Sequence, residues 1–168
     1  TSSRNSEVIH SGIYHPINSL KSQLCIRGNN LLYKFLREND IPYLNCGKLI
    51  VASNKDEEKI LDKLFLNGKN KKINGLEYIS SKKAKLIEPN VNCTKAIWVP
   101  SSGIMDSHRV MQRLEYNFIS NDGVIIYNTL VDSIVNNKSN FNIKTNNQDN
   151  IETKILINAA GLWADKIS

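Results

Sequence analysis

A mixed α/β fold is what the sequence predicts, and three observations carry it. Apolar residues recur at helical spacing within residues 20–36, 60–65 and 110–118. Compact apolar runs at Lys48–Ala52 and at 96–99 have the length and composition of strands. After Gly123 the texture changes to apolar runs separated by asparagine-rich turns. With 40% hydrophobic, 23% charged and 7% aromatic residues, the 168-residue chain has globular proportions, which excludes disorder, collagen and coiled coil.

Residues 1–17 are rich in Ser, Asn, Gly and His and carry no helical stripe, so a loop is expected there, with a short extended stretch at Val8–Ile9. Asn18 or Ser19 caps a long helix with Leu20, Leu24, Leu31, Leu32, Phe35 and Leu36 along one side. Gly28 inside it costs about 1 kcal/mol and signals close packing against a neighbour. Ile41-Pro42 stops this helix. Lys48–Ala52 is a strand, and Asn54 with Glu57 caps a helix carrying Ile60, Leu61, Leu64 and Phe65, which Asn67-Gly68 ends. A strand at 76–79, a helix at Ser81–Ile87 closed by Pro89 and a strand at 96–99 follow. Asp106 caps a helix whose apolar side is Val110, Met111, Leu114 and Phe118, and 121–123 end it. Residues 124–127, 130–135, 141–145 and 152–157 are expected to be successive strands, with turns at 136–140 and 146–150.

The net charge is +6, but 17 of the 22 basic residues are Lys and many stand beside acids, as at 55–63. The densest basic zone, from Lys69 to Lys85, contains one aromatic, Tyr78, and no Arg. A nucleic-acid groove favours Arg and stacking aromatics, so this strip reads as a solvated face and no nucleic-acid partner is expected. Cys25, Cys46 and Cys93 are odd in number and far apart, which suggests neither a disulfide framework nor a metal site. A reducing compartment is favoured by them, and a cytoplasmic location is expected. No apolar stretch reaches the ~20 residues of a bilayer-spanning helix, and no signal peptide is visible. The chain opens at Thr1 without an initiator methionine, so it reads as part of a longer polypeptide.

Two segments carry chemistry. Thr1-Ser2-Ser3-Arg4-Asn5-Ser6 is an unbroken row of hydroxyl, amide and guanidinium groups, suited to phosphate or ribityl oxygens, the alternative being a polar terminus. The run from Ile155 to Asp165 leads a strand into Ala159-Ala160-Gly161, where absent side chains let a backbone approach a ligand closely, before a helix begins. A tightly packed turn without a ligand is the other way to read it. These blocks, with Ser19-Leu20-Lys21, Cys46-Gly-Lys-Leu-Ile-Val-Ala52 and Pro100-Ser-Ser-Gly-Ile-Met-Asp106 between them, resemble the FAD-dependent oxidoreductases of the D-amino-acid-oxidase superfamily. Within it they are most similar to the L-2-hydroxyglutarate dehydrogenase/oxidase branch.

That resemblance implies a partial Rossmann-like, glutathione-reductase-type FAD domain (residues 1–45 and 106–168) and part of a mixed-sheet substrate domain (46–105). The chain departs from it in one respect: its eight glycines are never closer than seven residues, so no Gly-x-Gly-x-x-Gly turn is present. The family's C-terminal part is likewise absent, and the chain reads as the middle of a larger enzyme. By motif, Thr1–Ser6 lie along the flavin side of FAD, the backbone of Val131 meets the adenine, and Ala159, Ala160 and Gly161 pack beside the cofactor. The implied partner is a small 2-hydroxy acid, with oxygen or a quinone reoxidising the flavin, and peripheral contact with the inner membrane stays open (mitochondrial in a eukaryote). His10 is the candidate base, or an orienter of flavin or substrate, or a histidine satisfied in a packed loop. Tyr14 and Lys48 are the candidate substrate contacts, and His15 and His108 are assigned structural or exposed positions. Amine oxidation or glycerol 3-phosphate oxidation within the same superfamily, and a flavin-less binding module, are the competing readings.

Overall fold

Four polar residues, each standing at the start of a helical apolar pattern, begin the four main helices. The Ser19 hydroxyl accepts from Ser22 N–H at 3.1 Å and starts α1 (Leu20–Glu38). Asn54 Oδ1 accepts from Asp56 and Glu57 N–H, while the Glu57 carboxylate returns to Ser53 N–H at 2.7 Å, a reciprocal cap that opens α2 (Lys55–Asn70). Ser80 caps α3 (Ser81–Ile87), and Asp106 Oδ1 accepts from Arg109 N–H at 2.9 Å to begin α4 (Ser107–Ile119).

The computed structural model describes residues 4–167, in two compact units, one ending at Leu114 and the other beginning at Glu115. Beside the helices the first unit holds strands β1 (Val8–Ile9), β2 (Tyr43–Leu44), β3 (Lys48–Ala52), β4 (Glu77–Ser80), β5 (Lys95–Val99) and β6 (Gly103–Met105). They make two antiparallel sheets, ordered β1-β6-β2 and β3-β5-β4. In the second, Lys48 pairs with Val99 and Ala52 with Lys95, and β4 joins the other edge of β5. Ala52, Leu61, Leu76, Ile97 and Val99 form the main core, and Ile13 from the loop after β1 inserts into it. A second cluster of Ile9, Leu36 and Ile41 ties β1 to the end of α1. β2 and β6 have no counterpart in the sequence reading: at two and three residues they are too short to show a period of two.

Several helical details differ from expectation. α1 ends where Asp40 turns left-handed (φ +51°), with Ile41 N–H returning to Leu36 O at 3.0 Å, so this turn stops the helix before Pro42 is reached. Its buried positions are Ser22, Asn29 and Leu36, spaced seven apart, whereas Leu20, Leu24 and Leu31 are exposed. The reason is that this face serves a neighbouring loop with polar groups at one end and the Ile9 cluster at the other. Gly28 meets no close neighbour. Gly68, expected as a stop signal, lies inside α2: a Cβ there would stand 2.5 Å from Leu76 Cδ2 and 3.4 Å from Ile13 Cδ1. The helix continues to Asn70 and closes through left-handed Lys72 (φ +56°), with Ile73 N–H on Gly68 O at 3.1 Å. In α4 only Val110 joins a core, and Met111, Leu114 and Phe118 are exposed.

The second unit contains a three-stranded antiparallel sheet of β7 (Val131–Asn136), β8 (Phe141–Thr145) and β9 (Asn150–Thr153) in that order. Lys138 (φ +68°) and Gln148 (φ +67°) take the left-handed positions of its two asparagine-rich turns. A 3₁₀ turn at Gly161–Trp163 and a short α5 (Ala164–Ile167) complete it. Residues 124–127 are not a strand, and neither are 155–157. A strand exists only where a second backbone satisfies its N–H and C=O groups, and these two apolar runs pair with none among the described residues. Ile155 and Ile157 are accordingly 76% and 81% exposed.

Candidate active site

The loop after β1 runs into the core of the first unit, where its backbone carbonyls need donors that water cannot supply. Ser11, Gly12 and Ile13 are buried. Side chains of two helices provide the donors. From α1, Asn29 Nδ2 donates to His10 O at 3.0 Å and to Ser101 O at 2.8 Å, and the Cys25 thiol donates to His10 O at 3.6 Å. At the end of α2, Lys71 Nζ donates to the carbonyls of Gly12, Ile13 and His15 at 2.9, 2.8 and 2.6 Å. Asn67 Nδ2 reaches Ile13 O and His15 O at 3.3 Å each. The polar face of α1 thus holds the loop that carries the candidate base.

This loop forms one wall of a cleft of about 240 Å³, lined by His10, Tyr14, His15, Lys21 and Lys48 among others. His10, Tyr14 and Lys48, the catalytic and substrate candidates of the sequence, come together here. Lys21 and His15 join them. Lys21, quoted in the sequence as part of a motif without a role, sits one helical residue after Leu20, so the cap at Ser19 sets where its side chain leaves the helix. Lys48 opens β3, and its ammonium lies 4.5 Å from the centre of the Tyr14 ring, a cation–π contact. Partial burial, then the charges of Lys48 and His15, lowers the pKa of His10 below the ordinary 6.5. Burial lowers that of Lys48 from 10.5 and raises that of Tyr14 from 10.0. The cleft therefore pairs a neutral imidazole, able to accept a proton near neutral pH, with two ammonium groups able to hold an anion.

Of the residues assigned to a cofactor, Thr1, Ser2 and Ser3 lie outside the described residues. Arg4, Asn5 and Ser6 are exposed at the start of the first unit. Asn5 Oδ1 accepts from Glu7 N–H at 2.7 Å and its Nδ2 donates to Ser107 Oγ at 3.3 Å, so that side chain shapes its own turn. The Glu7 carboxylate accepts from the N–H and hydroxyl of Ser107 at 3.1 and 2.7 Å, fixing the segment to the start of α4. In the second unit Val131 begins the outer strand of its sheet, at an irregularity in the β7–β8 register. Asn158 Oδ1 accepts from Ala160 N–H at 3.2 Å and its Nδ2 donates to Ala164 O at 2.8 Å, closing the Ala159-Ala160-Gly161 turn. Gly161 is left-handed (φ +59°), and a Cβ there would meet nothing within 4 Å. His108 is exposed and lines a different cleft.

A family model described as FAD dependent oxidoreductase matches residues 1–168. Among curated relatives, the mitochondrial L-2-hydroxyglutarate dehydrogenase of Arabidopsis thaliana is 47% identical over 114 residues, covering 68% of this chain and 24% of that protein. The mitochondrial L-2-hydroxyglutarate dehydrogenase of Caenorhabditis briggsae is 37% identical over 172 residues, covering 99% of this chain and 40% of that protein. The chain thus spans well under half the length of these relatives. Among solved structures, L-alpha-glycerophosphate oxidase from Mycoplasma pneumoniae, dithionite-reduced with FAD bound, matches with a TM-score of 0.86 and 27% identity, covering 95% of this chain and 44% of that one.

Proposed function

The chain belongs to the FAD dependent oxidoreductase family, and we propose that the full-length protein oxidises L-2-hydroxyglutarate to 2-oxoglutarate. The observation that carries this reading is the shared cleft of His10, Tyr14, Lys21 and Lys48. In it His10 accepts the proton of the substrate hydroxyl, the ammonium groups of Lys48 and Lys21 hold the carboxylates, and Tyr14 stacks beside Lys48. A dicarboxylate suits two cations, since each charge-assisted hydrogen bond contributes about 1.5–3 kcal/mol. The two curated relatives named above supply the choice of 2-hydroxy acid.

FAD supplies the two-electron acceptor for such an oxidation when bound. The donor set fits it: Arg4 and Ser6 offer a guanidinium and a hydroxyl at an exposed edge, and Gly161 leaves open the space that any larger residue would fill. Arg4–Ser6 in the first unit, and separately Val131 and the turn at Ala159, Ala160 and Gly161 in the second, are each proposed as cofactor contacts. We carry the division into a flavin part (1–45, 106–168) and a substrate part (46–105) as part of the proposal. The β3-β5-β4 sheet, all three of whose strands come from residues 48–99, supports it. Reoxidation by oxygen or by a quinone fits the reading equally.

Single-turnover reduction of the flavin in the full-length protein tests this reading. His10→Ala should retain flavin while reduction by L-2-hydroxyglutarate slows by ~10²–10⁴-fold, the usual contribution of a general base. Reduction within a few-fold of wild type would remove His10 from the chemistry. Glycerol 3-phosphate is the second substrate to try, because the cationic cleft also suits a phosphate and the Mycoplasma pneumoniae oxidase is similar. Faster reduction by it would replace L-2-hydroxyglutarate in the proposal.

A further inference from the structure

We propose that Lys71 is a positioning residue, whose ammonium fills a cation site made by the carbonyls of Gly12, Ile13 and His15 and so clamps His10, Tyr14 and His15 into the cleft. This rests on the reading of that cleft as the active site. Three carbonyl oxygens converge within 2.6 to 2.9 Å of one nitrogen. Converging carbonyl dipoles repel one another, and an ammonium is the side-chain group that answers three acceptors with three donors and a full charge. An amide offers two N–H donors, and a guanidinium presents its donors in a flat fork that cannot meet three acceptors around a point. Left-handed Gly12 (φ +81°) turns this part of the loop, and His15 N–H closes it on Gly12 O at 3.4 Å.

The remaining anchors do not replace Lys71. Asn67 shares one amide nitrogen between Ile13 O and His15 O, at 3.3 Å each, and Asn29 holds only His10 O within this loop. The end of α2 fixes the clamp in turn. Lys72 N–H returns to Lys69 O at 2.9 Å and Ile73 N–H to Gly68 O at 3.1 Å, while the Ile73 side chain is buried in the main core. The lysine backbone is therefore anchored at the end of α2, beside the loop whose carbonyls its side chain meets. Loop and clamp are separated by more than fifty residues in sequence, so the cleft wall depends on long-range packing of α2.

The test is Lys71→Ala in the full-length flavoprotein, with Lys71→Gln as the milder variant should the first fail to fold. Two quantities are read: peptide-resolved amide hydrogen exchange over residues 10–17, and kcat and KM for L-2-hydroxyglutarate. The expected result is exchange about tenfold faster in the loop and kcat/KM lowered by about 10²-fold, as for a misplaced catalytic group. Methylammonium chloride should restore both by refilling the carbonyl site, and sodium chloride at equal ionic strength should restore less. Unchanged loop exchange overturns the clamp. Faster exchange with unaltered kcat and KM overturns the positioning role and leaves a structural cap. If wild type fails to oxidise L-2-hydroxyglutarate while loop exchange still responds to Lys71→Ala and to methylammonium, the clamp stands and the substrate reading falls.

Discussion

Gly68→Ala tests how the loop beneath the cleft is held, because Gly68 is where α2 lets Ile13 into the core. Its backbone is helical, so alanine gains about 0.8–1 kcal/mol of helix propensity over glycine. Against that gain, the new Cβ would stand 2.5 Å from Leu76 Cδ2 and 3.4 Å from two carbons of Ile13. Leu76 is 2% and Ile13 1% exposed, so neither side chain can swing into solvent. Overpacking a closed core costs about 1–3 kcal/mol, and the balance is a net loss of ~1 kcal/mol, which lowers the melting temperature. Thermal unfolding of the full-length protein reads this directly. Leu76→Ala in the same chain should absorb part of the cost, with a coupling of at least ~0.5 kcal/mol in a double-mutant cycle. A rise in melting temperature in Gly68→Ala, or strict additivity with Leu76→Ala, would refute the packing argument.

Two further perturbations probe the charges. Lys48→Met should raise KM for L-2-hydroxyglutarate about 10- to 100-fold, the loss of a charge-assisted hydrogen bond. It should also move the acid limb of the kcat/KM profile to higher pH: removing a neighbouring positive charge raises the His10 pKa, so the imidazole protonates earlier as pH falls. A limb that stays in place would show that the imidazole does not set it. On β4, at the edge of the β3-β5-β4 sheet opposite β3, Tyr78 donates to Asp62 at 2.6 Å, and burial together with that carboxylate pushes its pKa up to about 12. Asp62→Asn should bring the phenol ionisation down toward 10, followed by absorbance at 295 nm, and an unmoved titration would leave burial as the whole cause.

Local signals were readable from the sequence wherever a few neighbouring residues decide the structure. Asn54 with Glu57, Ser19 and Asp106 are caps whose hydrogen bonds close within three or four residues, and each appears as read. Gly68 and Gly28 show where local reading fails. A glycine near a helix end signals termination only if its φ must be positive, and the left-handed positions that close α1 and α2 fall on Asp40 and Lys72 instead. What selects glycine at 68 is Leu76 and Ile13, one of them more than fifty residues away. The runs at 124–127 and 155–157 fail for a related reason: hydrophobic composition marks a segment that wants a strand partner, and whether one is supplied is a property of the neighbours.

The site divides along the same line. His10, Tyr14 and Lys48 can be proposed from the sequence because their side chains name their chemistry, and the cleft brings them together. Lys71 gave no such signal, standing in a basic strip that composition assigns to a solvated face. Its partners are backbone carbonyls, which every residue possesses and no sequence pattern displays. Asn29 is the same case, a polar residue on the inward face of α1, where an apolar stripe was expected. A buried loop must take its donors from somewhere. The misfit of Ser22 and Asn29 with an apolar stripe is therefore itself a signal: buried polar residues spaced seven apart on a helix point to irregular backbone packed against that face.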